Sequence, residues 1–538
     1  VNEHYDLLTE PWIPVRPLDG SPVREVGLRE VLLSPERYAS VEGETPLVTA
    51  ALYRLLLAIL HRGLKGPQGA REAARWFENG FNPEERARLE AYLDERAARF
   101  DLLGDTPFLQ VPDLPLDGFA QSWERLGAEV GSGNTTALFN MSRREGYVPP
   151  AISLAQAARR LLEHQNFVLG GLTRKFTYAG SGAPSATSAL VMARGQNLRE
   201  TFSLNLVPYA WQEGRDAPPW ELPPLTMGQM QALYPEGKPQ RRPVEGVVQG
   251  YVWQGRSVKL HPEQDDGRPV VRFIAHAEGV PPEVAERFRD PMTATVPLRD
   301  GRLISLGLNR ERAFWRDFEA IVPGRAQRVE LAEDGTPKTV TGTEPQVLDH
   351  ALKVYRFLKR RGQQVPLMVF GQVTDQGKIE LSRSEAYALP VFEEEQQATP
   401  DAIKTALGSA ASVGQALSAT TRFLAEHLLS IGARKPHKDD VTKLAQSLGG
   451  TQAYWAALEF PFRSFLSALA DHGDKAALDV WNAELDHAAR RAWDVAKREA
   501  GTDARARRAV HESEGYLMNT LYELQKGAED VAAANHAS

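Results

Sequence analysis

Apolar residues recur every three to four positions over Thr45 to Arg62, Glu84 to Phe100 and Ile152 to Phe167. That is the period of a helix with one buried face. The stretch Thr45 to Leu60 is apolar almost throughout, but it carries Arg54 and falls short of the roughly 20 residues of a membrane span. A buried core helix is expected there. Alternating runs in Val270 to His276, Arg302 to Leu308, Gln327 to Leu331 and Leu367 to Val373 predict strands. The last is followed by Thr374-Asp375-Gln376-Gly377 and then Lys378 to Leu381. This is a hairpin signal, with Gly377 free to take the positive φ of a tight turn.

Near Phe392 the pattern changes. Glu393-Glu394-Glu395-Gln396-Gln397 has no apolar face and reads as a linker. Thr399-Pro400-Asp401 then sets out a helix start: hydroxyl N-cap, proline in the first turn, carboxylate against the dipole. Ile403, Leu407, Ala410, Gly414, Leu417, Thr421, Leu424 and Leu428 keep helical spacing, as do Leu478, Trp481, Leu485, Ala488, Ala492 and Val495. Val441 to Leu469 lies between them, interrupted at Gly449-Gly450 and kinked or broken at Pro461. Arg507 to Gln525 supplies a fourth stripe through Val510, Leu517, Leu521 and Leu524. Four amphipathic segments with short polar joints specify a four-helix bundle. The expected class is therefore α+β. A large mixed α/β globular domain over 1–392 is followed by a linker at 393–399 and an all-α bundle at 400–538. No repeat of the solenoid or propeller kind is visible.

Composition narrows the function. The 538 residues include no cysteine, which excludes disulfides, thiolate metal sites and a cysteine nucleophile, and suits the cytoplasm. Val1 to Asp6 lacks the basic-then-apolar layout of a signal peptide. A net charge of -7 excludes a wholesale basic coat for nucleic acid. Two local clusters stand out. One is Lys353, Arg356, Lys359, Arg360 and Arg361; the other is Arg490, Arg491, Lys497, Arg498, Arg505, Arg507 and Arg508. Each is either a solvated, partly ion-paired helix face or a surface that tracks phosphates.

The search for catalysis is largely negative. No two of the 12 histidines lie within four residues, so no helix offers a paired-His metal site. Walker A and G-x-S-x-G strings are absent, and Gly131-Ser132-Gly133 lacks the third glycine of a dinucleotide fingerprint. His437-Lys438-Asp439 and His472-Gly473-Asp474 come nearest to a metal-phosphohydrolase start, and both fall at joints between bundle helices. No catalytic residue, metal or cofactor is expected.

Three segments look unlike ordinary core or surface. Gly127 to Tyr147 is long and rich in small residues, which marks either a surface insertion or a functional loop. Asn166 to Lys175, followed by Gly180-Ser181-Gly182-Ala183-Pro184, pairs glycines with Arg174 and Lys175. Gly170-Gly171 is either a helix C-cap or a place where backbone approaches a groove or phosphate. The tip Asp375-Gln376-Gly377 is a turn by its chemistry alone.

Their order is informative. The opening Tyr5-Asp6-Leu7-Leu8-Thr9-Glu10-Pro11-Trp12-Ile13-Pro14-Val15 resembles the start of the large subunit, the CasA family, of the type I-E CRISPR Cascade surveillance complex. The likeness continues through Asn134-Thr135-Thr136-Ala137-Leu138-Phe139-Asn140, the glycine segment, Gly250-Tyr251-Val252-Trp253-Gln254, the Gln376 hairpin, Tyr454-Trp455 and Glu459-Phe460-Pro461-Phe462-Arg463. The resemblance implies a non-enzymatic, RNA-guided DNA-recognition subunit. Such a subunit reads a protospacer-adjacent motif on double-stranded target DNA from the minor groove, helps open the duplex, and recruits a helicase–nuclease. Its partners are the other Cascade subunits and the 5′ handle of the guide RNA, with no membrane involved. By the same resemblance, Gly170, Gly171, Arg174 and Lys175 form the glycine loop, and Asp375, Gln376 and Gly377 the glutamine wedge. Asn134, Thr135, Phe139 and Asn140 belong to the loop that docks towards the RNA handle. Lys353, Arg356, Arg360, Arg498, Arg505 and Arg508 are the candidates for nonspecific DNA contact. The family's lysine finger aligns with Ala275 to Arg289, where no lysine stands and Arg287 and Arg289 are the basic residues. A hydrolase or transferase built from scattered acids and histidines, or a protein-only scaffold, are the competing readings.

Overall fold

A computed structural model describes residues 4–127, 148–171, 173, 175–209, 215–236, 238–283, 288–298, 302–322, 327–331, 337–360, 362–375, 378–392, 398–430 and 435–536. Packing divides them into two units. The first comprises Val1–Phe314, Ala326–Arg360 and Val365–Ala386; the second comprises Trp315–Arg325, Arg361–Gln364 and Tyr387–Ser538. The division therefore differs from the single one expected at 393–399. Three stretches upstream of that linker group with the helices; in the first of them Trp315 stacks on Phe462 at 5.0 Å and packs edge-on to Trp481 at 6.0 Å.

In the first unit, β1 (Ile13–Pro17) pairs antiparallel with β2 (Arg24–Val26) and β3 (Tyr38–Val41). Helix α1 (Pro46–Leu64) follows. Its Thr45 cap accepts from the Val48 amide at 3.1 Å, and Pro46 sits where a helix has no N–H to bond. This helix has the length and apolarity of a membrane span, yet 94% of that window is buried inside the protein. It is a core helix, as expected. Arg54 is tolerated there because its guanidinium meets Asp290 at 2.7 Å, the Gly250 carbonyl at 2.6 Å and the face of Tyr251.

Next come β4 (Ala120–Ser122), β5 (Ile152–Ser153) and α2 (Leu154–Phe167), the helix opened by a Ser153–Gln156 capping box and packed against α1. After β6 (Leu190–Ala193), the strands β7 (Arg256–Asp265) and β8 (Arg268–Glu278) form a long hairpin. Asp266 and Gly267, both at positive φ, make its two-residue turn. β8 also pairs with β4 and β5. The strand expected at Val270 to His276 is thus longer, with a partner strand that alternation did not reveal. The expected 302–308 strand is shorter, Leu303–Ser305. Finally, β9 (Gln364–Asp375) lies between β6 and β10 (Lys378–Pro390), the hairpin read from the sequence.

The second unit contains seven α-helices among the described residues: α3 (Ala398–Leu429), α4 (Lys438–Ser447), α5 (Gly450–Ala457), α6 (Glu459–His472), α7 (Asp474–Ala500), α8 (Ala504–Ser513) and α9 (Gly515–His536). They make the legs α3, α4–α6, α7 and α8–α9 of the bundle. Tyr454 and Trp481 donate to the carbonyls of Ala410 and Ala406, each at 2.9 Å, fastening two legs to α3. Two local expectations are corrected. α3 starts at Ala398, and the Thr399 hydroxyl donates to Asp474 rather than capping. The break expected at Pro461 falls at Leu458, since a proline in the first turn of α6 loses no helical hydrogen bond. Gly449, at φ 71°, makes the other break as foreseen.

Candidate nucleic-acid interface

The glycine segment starts where α2 stops. The helix ends at Phe167, and Val168 is already extended, so Gly170-Gly171 is not a C-cap. Instead the chain runs out through 168–173 and returns through 180–183. Backbone bonds join the two arms: Gly171 to Gly180 at 2.8 Å, Gly180 to Thr173 at 2.9 Å and Ala183 to Val168 at 3.0 Å. The arms approach closely because neither Gly170 nor Gly182 has a side chain. A Cβ on Gly170 would lie 3.1 Å from the Gly182 nitrogen, and one on Gly182 would lie 3.2 Å from that of Gly170. Gly171 takes φ +91° and faces open space. Both Gly170 and Gly171 are exposed.

Beneath them lies a buried polar support. Arg256 and Glu278 are register partners at the end of the β7–β8 hairpin, and neither is exposed to solvent. Arg256 donates to Leu169 on one arm and Ser181 on the other, each at 2.6 Å. Glu278 accepts from the amides of Lys175 and Phe176. One side chain therefore holds carbonyls and the other holds amides of the same loop. Burial pushes the Arg256 guanidinium down to about 10, which leaves it charged at neutral pH. Gln165 braces the arginine, accepting from its amide at 2.8 Å and donating to its carbonyl at 2.9 Å.

Two histidines 112 residues apart complete the support. His164 and His276 meet Nε2 to Nε2 at 2.9 Å, and His276 Nδ1 faces the Thr173 hydroxyl at 3.4 Å. Burial holds both imidazoles well below their usual range, so the pair is neutral and one ring donates to the other.

The hairpin stands against this loop. Gln372 on β9 donates to Phe167 at 2.8 Å and to Ala186 at 2.6 Å, the two roots of the glycine segment. Ile379 on β10 packs against the cluster of Val168, Leu169, Ala183 and Ala186. Asp375 is exposed at the end of β9. Of the other expected site residues, Arg174, Gln376 and Gly377 lie outside the described residues, as do Asn134, Thr135, Phe139 and Asn140 of the long loop, and Arg287. The Lys175 ammonium donates to the Gly118 carbonyl at 2.7 Å, so its charge is held at the loop base.

The basic clusters are partly neutralised. Lys353 pairs with Asp349, and Arg360 stacks over Phe77 and Tyr355. Arg356 also has a partner, while Arg361 lies outside the described residues. In the bundle, Arg490, Lys497 and Arg508 pair with Asp486, Asp494 and Glu512. Arg505 donates to the Ser430 carbonyl at 2.6 Å. Arg491 and Arg498 are exposed and make no ion pair with a described residue. Among the described residues, no group of three His, Asp or Glu side chains is placed to hold a metal ion.

Sequence reasoning missed Arg256, Glu278, Gln372 and the histidine pair. A signal existed for two of them. Arg256 shares the inward phase of β7 with Val258 and Leu260, and Glu278 shares that of β8 with Ile274 and His276. A charge in the inward phase of a strand needs a buried partner.

The fold and this loop assembly define a two-unit α+β protein that presents a braced glycine loop beside a hairpin. A family model, CRISPR-associated protein Cse1, matches residues 6–492. The CRISPR-associated protein CasA/Cse1 of Thermus thermophilus is 37% identical over 533 residues, covering 97% of this chain and 98% of that protein. The crystal structure of Thermus thermophilus CasA superposes with a TM-score of 0.82 at 36% identity, covering 96% of this chain and 99% of that one. A chain in a CRISPR RNA-guided surveillance complex shares the fold, with a TM-score of 0.67 at 20% identity over 96% of this chain and 99% of its own. The chain belongs to the CRISPR-associated Cse1 family, also called CasA.

Proposed function

We propose that this chain is the non-catalytic large subunit of a type I-E CRISPR RNA-guided surveillance complex. It acts in the cytoplasm with the other Cascade subunits and with the 5′ handle of the guide RNA. It reads the protospacer-adjacent motif on duplex DNA from the minor groove, starts duplex opening and recruits the helicase–nuclease. One observation carries this reading: an exposed, Cβ-free Gly170-Gly171 pair stands beside the β9–β10 hairpin, which is bonded and packed against the roots of the same segment.

The physical chemistry supports it. The minor groove is about 6 Å wide and presents a sparse code, so bare backbone is well suited to reach its floor. Opening a base step forfeits roughly 1.4 kcal/mol of stacking, and a planar amide at Gln376 offsets part of that by stacking on the exposed pair. Pairing with guide RNA roughly balances the rest, so the protein need only start the exchange. In the reconstituted complex, Gly170→Asp and Gln376→Ala are expected to weaken binding of motif-bearing duplex by about tenfold or more. Wild-type binding by both variants would overturn the assignment.

A further inference from the structure

We propose that Gln372 is a positioning residue whose amide couples the wedge hairpin to the glycine loop, so that the two meet a duplex as one rigid head. This rests on the DNA reading above and adds to it the part that sets their relative position. Gln372 is 2% exposed and commits both N–H groups of one nitrogen to Phe167 and Ala186. These carbonyls flank the loop on its two sides, so one side chain fastens strand to both roots. Its Oε1 is buried and finds no hydrogen-bond partner among the described residues. An apolar side chain of similar volume would fill the space and remove that oxygen, but it would take the donor away from the Phe167 and Ala186 carbonyls. What the amide adds is registry between β9 and the loop.

The leverage is short. Asp375, the last residue of β9, is three residues further along the strand, about 10 Å at strand rise, so a small rotation at Gln372 displaces the end of β9 by a sizeable fraction of a groove width. Ile379 makes the second contact from the returning strand, and it is apolar and without direction. Arg256 holds the loop independently of the hairpin. Replacing Gln372 therefore uncouples two elements that each persist.

Two measurements on Gln372→Met test this. The 538-residue chain has no cysteine, so Ala179→Cys and Asp375→Cys carry two spin labels without background. The distance distribution between them is expected to be narrow with Gln372 and broad with Q372M. In the assembled complex, Q372M is expected to lose about tenfold affinity for an intact motif-bearing duplex, and most of that loss is recovered when the motif-proximal pairs are mismatched open. An unchanged distance distribution overturns the proposal, as does an equal loss on both duplexes. If neither Q372M nor Gln372→Leu melts cooperatively, Gln372 is a core residue and the proposal also fails. A broadened distribution with Gly170→Asp and Gln376→Ala binding DNA normally would instead retain the coupling and sink the DNA reading.

Discussion

Arg256 shows how much a single buried group carries. Its guanidinium satisfies one carbonyl on each arm of the glycine loop, and a Cβ on Gly180 would lie 3.0 Å from its Cζ. Arg256→Met leaves both carbonyls without a donor, at an expected cost of about 3 kcal/mol in a denaturant melt. Arg256→Lys is expected to recover little of it, since a single ammonium does not reproduce the planar fork. The buried histidines make a pH prediction at the same scale. In the unfolded chain an imidazole takes up a proton near ~6.5; folded His164 and His276 are held well below that, His61 at about 3 and His350 at about 4. The unfolded state therefore binds more protons as pH falls below that value. Stability is full above it and is lost on acidification, by up to ~1.4 kcal/mol per pH unit for each such group. Urea midpoints at pH 7 and pH 5 check this, and His276→Gln is expected to flatten the dependence.

At the scale of elements, α3 supplies an internal comparison. Gly414 lies where a Cβ would come within 2.4 Å of the Trp455 indole, and that ring is pressed between Trp315 at 5.8 Å and the Arg316 guanidinium at 3.5 Å. Glycine there lets α3 and α5 approach. Gly408, six residues earlier on the same helix, faces open space. Gly414→Ala is expected to lower stability by about 1–3 kcal/mol through overpacking. Gly408→Ala is expected to raise it by about 0.5–1 kcal/mol, through helix propensity and a less free unfolded chain. Opposite shifts in thermal midpoint confirm the pair; equal shifts refute it. The helices and the β9–β10 hairpin were legible because their periods and turn residues are local. The stretch Trp315–Arg325 was not legible as part of the helical unit, because its allegiance depends on an aromatic cluster assembled from distant segments.

For the molecule as a whole, the net charge of -7 and the many paired arginines mean that the nonspecific DNA attraction of the proposed function would be a local matter. Arg491 and Arg498 remain exposed without an ion pair among the described residues. Replacing both with glutamine is expected to weaken binding of motif-bearing and motif-free duplexes by the same factor in the assembled complex. The slope of log affinity against log salt should fall by about 1–2. A selective loss on the motif-bearing duplex would show instead that these groups belong to motif reading.

The amino-acid sequence by itself determined the α+β class, the helical bundle, the core character of α1, the hairpin ending near Gln376 and the family. Each is written in short-range periodicity, in turn residues, or in motifs whose order can be read along the chain. Only the tertiary structure decided what Gly170-Gly171 is. Spacing allowed a helix cap or a place where backbone approaches a groove or phosphate, and the extended Val168 and the returning arm at 180–183 excluded the cap. It alone brought Arg256, Glu278, Gln372 and the two histidines beneath that loop. Buried polar groups find partners wherever the fold brings donor and acceptor together, and sequence separation carries no trace of that meeting.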